Sequence, residues 1–136
     1  MPMSKTKLSV LLVDDDGIYQ FTARKTLEAT GYTEKIFICS NGEEALHLIE
    51  NNLSEEDIPD VIFLDVNMPV MNGWEFLSEY NRLRTSINKN VYIYIVSSSV
   101  DEADIQHSKE FESVEDYIIK PILKEKFTEI LSGICA

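Results

Sequence analysis

Three consecutive aspartates, Asp14, Asp15 and Asp16, close an apolar run that begins at Leu8. Asp65 closes a second run, Val61–Leu64. Ser97, Ser98 and Ser99 follow a third, and Lys120 with Pro121 follows a fourth. Carboxylates held ~4 Å apart repel by ~4 kcal/mol per pair at an effective dielectric of ~20. Either one of them takes a proton or a cation sits among them. Oxygen ligands with no His or Cys nearby favour Mg²⁺ over zinc or copper. Mg²⁺ uses few protein ligands and leaves room for a phosphoryl oxygen. A carboxylate beside it can attack phosphorus and form an aspartyl phosphate. A lysine and a serine hydroxyl can then bind the new phosphoryl oxygens.

Such chemistry requires the four positions to meet, and the intervening pattern says how. Leu8–Val13, Lys35–Cys39, Val61–Leu64, Val91–Val96 and Tyr117–Ile119 read as strands. Their continuous apolar character suits a sheet buried on both faces. Between them, helices are expected over Ile18–Thr30, Glu44–Asn51, Trp74–Arg84, Asp101 to about Phe111, and Lys124–Ile134. Gly31 reads as a C-terminal stop, Ser40 with Glu43 as a capping box, and Asp101 as an N-cap. Five βα units predict an α/β fold, a doubly wound five-stranded parallel sheet with five helices. Ligands of such sheets bind beyond the carboxyl ends of the strands, where the aspartates, serines and lysine stand. The polar stretch Asn51–Asp60 reads as a surface loop.

Composition narrows the class. The chain has 136 residues, 44% of them hydrophobic, enough for one ordinary core. Residues 1–136 are read as a single domain with a core of about 8–134 and no output domain. Asp and Glu number 24 against 12 Lys and Arg, a formal charge of −12, which disfavours a nucleic-acid partner. No apolar leader or membrane span is expected, and a cytoplasmic location is. Cys39 and Cys135 have no metal-ligand spacing and read as buried or spare thiols. His47 and His107 read as solvated, and Trp74 as packing or a surface aromatic.

Taken singly, the chemical residues have plainer readings. The three aspartates could form a turn that caps the first helix, and Lys120 could be a surface lysine before a turn proline. Ser97 could be one of three turn serines, and Tyr117 a core residue.

Together they resemble a known family. Val10-Leu-Leu-Val-Asp-Asp15, Val61-Ile-Phe-Leu-Asp65-Val-Asn-Met-Pro69 with Gly73, Ile95-Val-Ser97-Ser98 and Asp116-Tyr117-Ile-Ile-Lys120-Pro121 are similar to the response-regulator receiver domain. The resemblance runs from about Leu8 to Ile134. It implies the flavodoxin-like receiver fold, with Asp65 as phosphoacceptor, Asp15 as direct Mg²⁺ ligand and Asp14 as its neighbour in the acidic pocket. It also implies that the Asn67 backbone carbonyl binds the metal and that Lys120 binds phosphate, with a cis bond to Pro121. Ser97 and Tyr117 become the switch pair. Ser113 stands where the family usually has glycine, Asp16 is an extra acid, and Ser99 occupies a position that tunes phosphoryl lifetime.

The expected function is therefore a phosphorylation-gated signalling domain, not an enzyme with a free substrate. A histidine kinase or a histidine phosphotransfer protein donates the phosphoryl group to Asp65. The face of the fourth helix, fifth strand and fifth helix then contacts a downstream protein, and phosphorylation-dependent dimerisation stays open. Two alternatives remain. One is an unphosphorylated receiver-like scaffold. The other is a Mg²⁺-dependent aspartyl-phosphate phosphotransferase, against which Asn67 stands where a general acid would be. A nucleotide-binding domain fits poorly, because no glycine-rich loop follows the first strand.

Overall fold

The computed structural model describes residues 6–51, 58–87 and 89–135. Five strands, β1 (Leu8–Val13), β2 (Thr33–Cys39), β3 (Val61–Leu64), β4 (Tyr92–Ser97) and β5 (Val114–Ile119), form one parallel sheet in the order β2-β1-β3-β4-β5. The helices are α1 (Gly17–Ala29), α2 (Gly42–Glu50), α3 (Gly73–Leu83), α4 (Glu102–Ser108) and α5 (Lys124–Cys135), with a 3₁₀ turn at Arg84–Ser86. This is the expected doubly wound fold. Most of the surface loop expected over Asn51–Asp60 lies outside the described residues.

Alternation along the strands divides the interior into two layers. Leu11, Val13, Ile62, Leu64, Ile93 and Ile95 pack with Ala45, Ile49, Phe76 and Leu77 of α2 and α3. Val10, Leu12, Val61, Phe63 and Val96 pack with Ala23, Leu27, Phe127 and Leu131 of α1 and α5. β1 and β3 are covered on both faces and buried throughout, and apart from Ser9 they are apolar at every position.

Several boundaries differ from the sequence expectation. The edge strands β2 and β5 start earlier, at Thr33 and Val114, because their first residues are polar or part-exposed. The expected Ser40–Glu43 box does not form. Asn41 caps α2 by accepting from the Glu44 N–H, while Glu44 reaches back to the Ser40 N–H. A true capping box sits at α3 instead, between Asn72 and Glu75. Helix α4 ends at Ser108, not near Phe111. Ser113 is buried, and its hydroxyl has no hydrogen-bond partner among the described residues. Among the described non-glycine residues only Val70 has positive φ, so the turn at Ser113 does not require glycine.

Candidate acidic site at the strand ends

Register brings the chemical residues together. Val13 pairs with Leu64, and Leu64 with Ile95. The ladder continues one residue past the strands: Asp14 N–H donates to Cys39 O (3.0 Å), and Asp65 N–H to Val13 O (2.9 Å). Lys120 N–H likewise donates to Ser97 O at 2.9 Å. Asp14, Asp65 and Lys120 are thereby held from the backbone outward, at the crevice where the order of strands reverses.

Carboxylate oxygens of Asp14, Asp15 and Asp65 lie within 4.8 Å of one another. Asp14 and Asp65 are buried, and Asp15 is exposed. The Lys120 Nζ lies 2.6 Å from Asp14 Oδ2 and 3.8 Å from Asp65 Oδ2. The peptide bond from Lys120 to Pro121 is cis. Burial raises the Asp65 carboxyl to about 6; Lys120 and the Asn67 and Val66 N–H groups pull against this, while Asp14 adds to it. Such a set of hard oxygen donors around incompletely neutralised charge fits a divalent cation.

Asp16 is not part of this cluster. Its side chain accepts from Ile18 and Tyr19 N–H and caps α1, so the plain capping reading is right for this one aspartate. Asn67 has an exposed side chain, and its N–H donates to Asp65 Oδ1 at 3.3 Å. Ser97 is fully buried and its Oγ accepts from Ser99 N–H at 3.1 Å. Tyr117 is half-buried and donates its hydroxyl to Ser99 O at 2.9 Å. Ser99 thus joins the two expected switch residues, and its own hydroxyl donates to Asp104 at 2.8 Å. The sequence reading gave Ser99 no such role.

Other residues were missed. Gln20 Nε2 donates to Asp14 O at 2.5 Å, and the Tyr19 ring faces the Lys120 ammonium. The readable signal was Asp16: capping there directs the first turn of α1 toward the rim. His107 is only partly solvated and stacks on Trp74, with ring centroids 4.2 Å apart and 20° between planes. Gly73 is needed for close approach, since a Cβ there would stand 2.5 Å from Asp65 O and 2.7 Å from Val66 Cα. Burial, reinforced by Glu44, pushes the Cys39 thiol up to about 11, which makes it a poor nucleophile. No described helix is long and apolar enough to cross a membrane.

Strand order and the acid–lysine crevice define a flavodoxin-like α/β domain with an acidic rim that carries one lysine. The chain belongs to the response regulator receiver domain family, whose model matches residues 10–132. It is 33% identical over 125 residues to the sensor histidine kinase CheAY of Helicobacter pylori, covering 90% of this chain and 14% of that one. The chain spans 14%, 41% and 53% of three curated relatives that it matches. A two-component response regulator from Cytophaga hutchinsonii superposes with a TM-score of 0.85 at 26% identity, over 94% of this chain and 97% of that one. The Mn²⁺-bound form of response regulator Rcp1 superposes with a TM-score of 0.72 at 25% identity, over 93% and 91% of the two chains.

Proposed function

We propose that Asp65 accepts a phosphoryl group from a phosphohistidine of a histidine kinase or histidine phosphotransfer protein, with Mg²⁺ bound. The observation that carries this is the meeting of three carboxylates within 4.8 Å beside one lysine. Asp14, Asp15, Asp65 and the Asn67 backbone carbonyl would hold the ion, which would supply positive charge to the phosphoryl oxygens. The Mn²⁺-bound form of Rcp1 supports a divalent ion in this fold.

The ionised Asp65 oxygen attacks phosphorus. An O–P bond forms, the P–N bond of the donor breaks, and the leaving imidazole takes up a proton. The product carries new negative charge beside Lys120, whose ammonium turns from Asp14 toward it. The Ser97 hydroxyl gives up its bond from Ser99 N–H to follow the phosphoryl group. Because Ser99 also accepts from Tyr117, that movement reaches Tyr117 and the face of α4, β5 and α5. This is a population shift between two loop arrangements. The unit signals through protein contact in the cytoplasm and promotes only its own phosphorylation and dephosphorylation. Ile18, Phe21 and Leu123, large apolar side chains exposed beside the rim, suit a protein donor better than a small ester.

Intact-protein mass after incubation with acetyl phosphate tests the reading. A gain of one phosphoryl mass that needs Mg²⁺ and disappears in Asp65→Asn is expected. No gain with Mg²⁺ binding confirmed, repeated with a panel of phosphorylated histidine kinases, would leave the unphosphorylated scaffold.

A further inference from the structure

Lys120 occupies a guarded position. One side of its ammonium meets Asp14 and, more distantly, Asp65. The other side meets the ring of Tyr19, with Nζ 4.2 Å from the ring centroid. Tyr19 is fixed in the first turn of α1 by the Asp16 cap, which accepts its N–H at 3.3 Å, and it packs on the α1–α5 side of the core. Its hydroxyl is buried with no hydrogen-bond partner among the described residues. The ring face, not the hydroxyl, meets the ammonium, and that face carries negative quadrupole charge that attracts a cation.

We propose that Tyr19 is a positioning residue for phosphoryl transfer, its ring holding the Lys120 ammonium between Asp14 and Asp65. This rests on Asp65 being the phosphoacceptor. Lysine is a point charge on a flexible four-carbon stem, and this one is 19% exposed. Without an aromatic wall the stem is free to swing toward water, and the ammonium is then absent when charge builds on the phosphoryl oxygens. The wall also keeps water off that side of the ammonium, which strengthens its pull. The ring carries this role and the hydroxyl does not, so the two are separable by substitution.

The test compares wild type, Tyr19→Phe and Tyr19→Leu, each shown folded by thermal melting. Phosphoryl uptake from acetyl phosphate with Mg²⁺ is followed by mass, and the Lys120 ammonium by ¹⁵N-resolved NMR. Phe should match wild type within about twofold. Leu should be about tenfold slower, equal to about 1.4 kcal/mol, and its ammonium signal should lose the ring-current shift. Equal rates in Leu and wild type, or Phe as slow as Leu, would overturn the proposal. If wild type takes up no phosphoryl group from acetyl phosphate or from the phosphorylated kinases, the phosphoacceptor reading itself fails. The ammonium signal then decides whether Tyr19 holds Lys120, and an unchanged signal in Leu overturns that too.

Discussion

The Lys120 ammonium stands 2.6 Å from Asp14 and 3.8 Å from Asp65, so the lysine is bonded to one aspartate and merely near the other. Asp14 is neutralised by a direct charge-assisted hydrogen bond. Burial raises the Asp65 carboxyl to about 6, and its weaker supports, Lys120 at a distance and backbone N–H groups, only partly offset this. At neutral pH it is mostly ionised, as the proposed attack on phosphorus requires, yet held at a cost.

That cost has a pH signature. The folded-state value of Asp65 lies above its ordinary value, so between about 4 and about 6 the native protein binds more protons than the unfolded chain. Stability therefore falls as pH rises through that window and then levels. Asp65→Asn removes the ionising group. In the absence of divalent cation the variant should exceed wild type at pH 8 by on the order of 2 kcal/mol, with the gap closing by pH 4. Mg²⁺ should narrow the gap at pH 8 by stabilising wild type. Urea unfolding at the two pH values checks this, and parallel profiles for the two proteins would contradict it.

Gly73 packs closely against the loop that carries Asp65. Its N–H donates to Val66 O at 3.1 Å, and an added Cβ would meet backbone atoms of Asp65 and Val66, which cannot rotate away. Gly73→Ala should destabilise by ~2 kcal/mol and slow phosphoryl uptake even where the protein stays folded. Gly133 in α5 has nothing within 4 Å of an added Cβ. Gly133→Ala should be stabilising by ~0.5 kcal/mol and leave uptake alone. Denaturant melts with parallel mass time courses would show whether the two glycines separate in this way.

Much of this was legible in the sequence. Central strands buried on both faces write themselves as mainly apolar runs, so β1 and β3 were bounded to the residue and the aspartates ending them followed, while β4, expected over Val91–Val96, lies one residue further on at Tyr92–Ser97. The edge strands were not, because Thr33, Glu34, Glu115 and Asp116 can sit on a half-solvated edge and still join the ladder. The acidic crevice was legible because its members end strands. Tyr19 and Gln20 were not, since nothing in their own types signals chemistry, and only the rotation of α1 set by Asp16 turns them to the rim. Ser99 acts largely through its backbone carbonyl and N–H, which residue type does not encode.

Ser99 supplies the next expectation. Tyr117 donates to its carbonyl, and its N–H donates to Ser97 Oγ. Tyr117→Phe should cost about 1 kcal/mol, and Ser97→Ala a similar amount, because each leaves a group of Ser99 unpaired. Since both act on one residue, the double variant should lose less than the sum of the two. Amide exchange of Ser99 and Asp101 reports the loop directly, and it should quicken in each single variant. Additive losses with unchanged exchange would mean that the two side chains are not linked through Ser99.

Trp74 offers a reading of α4, because it is the single tryptophan of the chain. It follows Gly73, which packs against Asp65, and it stacks on His107 of α4 and, at 6.0 Å, on Phe111. The stack therefore links the start of α3, beside the Asp65 loop, to α4. If phosphorylation shifts α4, the ring overlap must change, and Trp74 emission should change with it on addition of acetyl phosphate and Mg²⁺. His107→Ala removes one stacked partner, so it should alter the starting emission and cost ~1 kcal/mol. In that variant the phosphorylation-linked emission change should shrink, while phosphoryl uptake, set at the acidic crevice, stays within about twofold of wild type. Emission that is indifferent to phosphorylation in a protein shown by mass to be phosphorylated would mean that α4 keeps its seat on α3. The signal would then have to leave through Tyr117 and β5 alone.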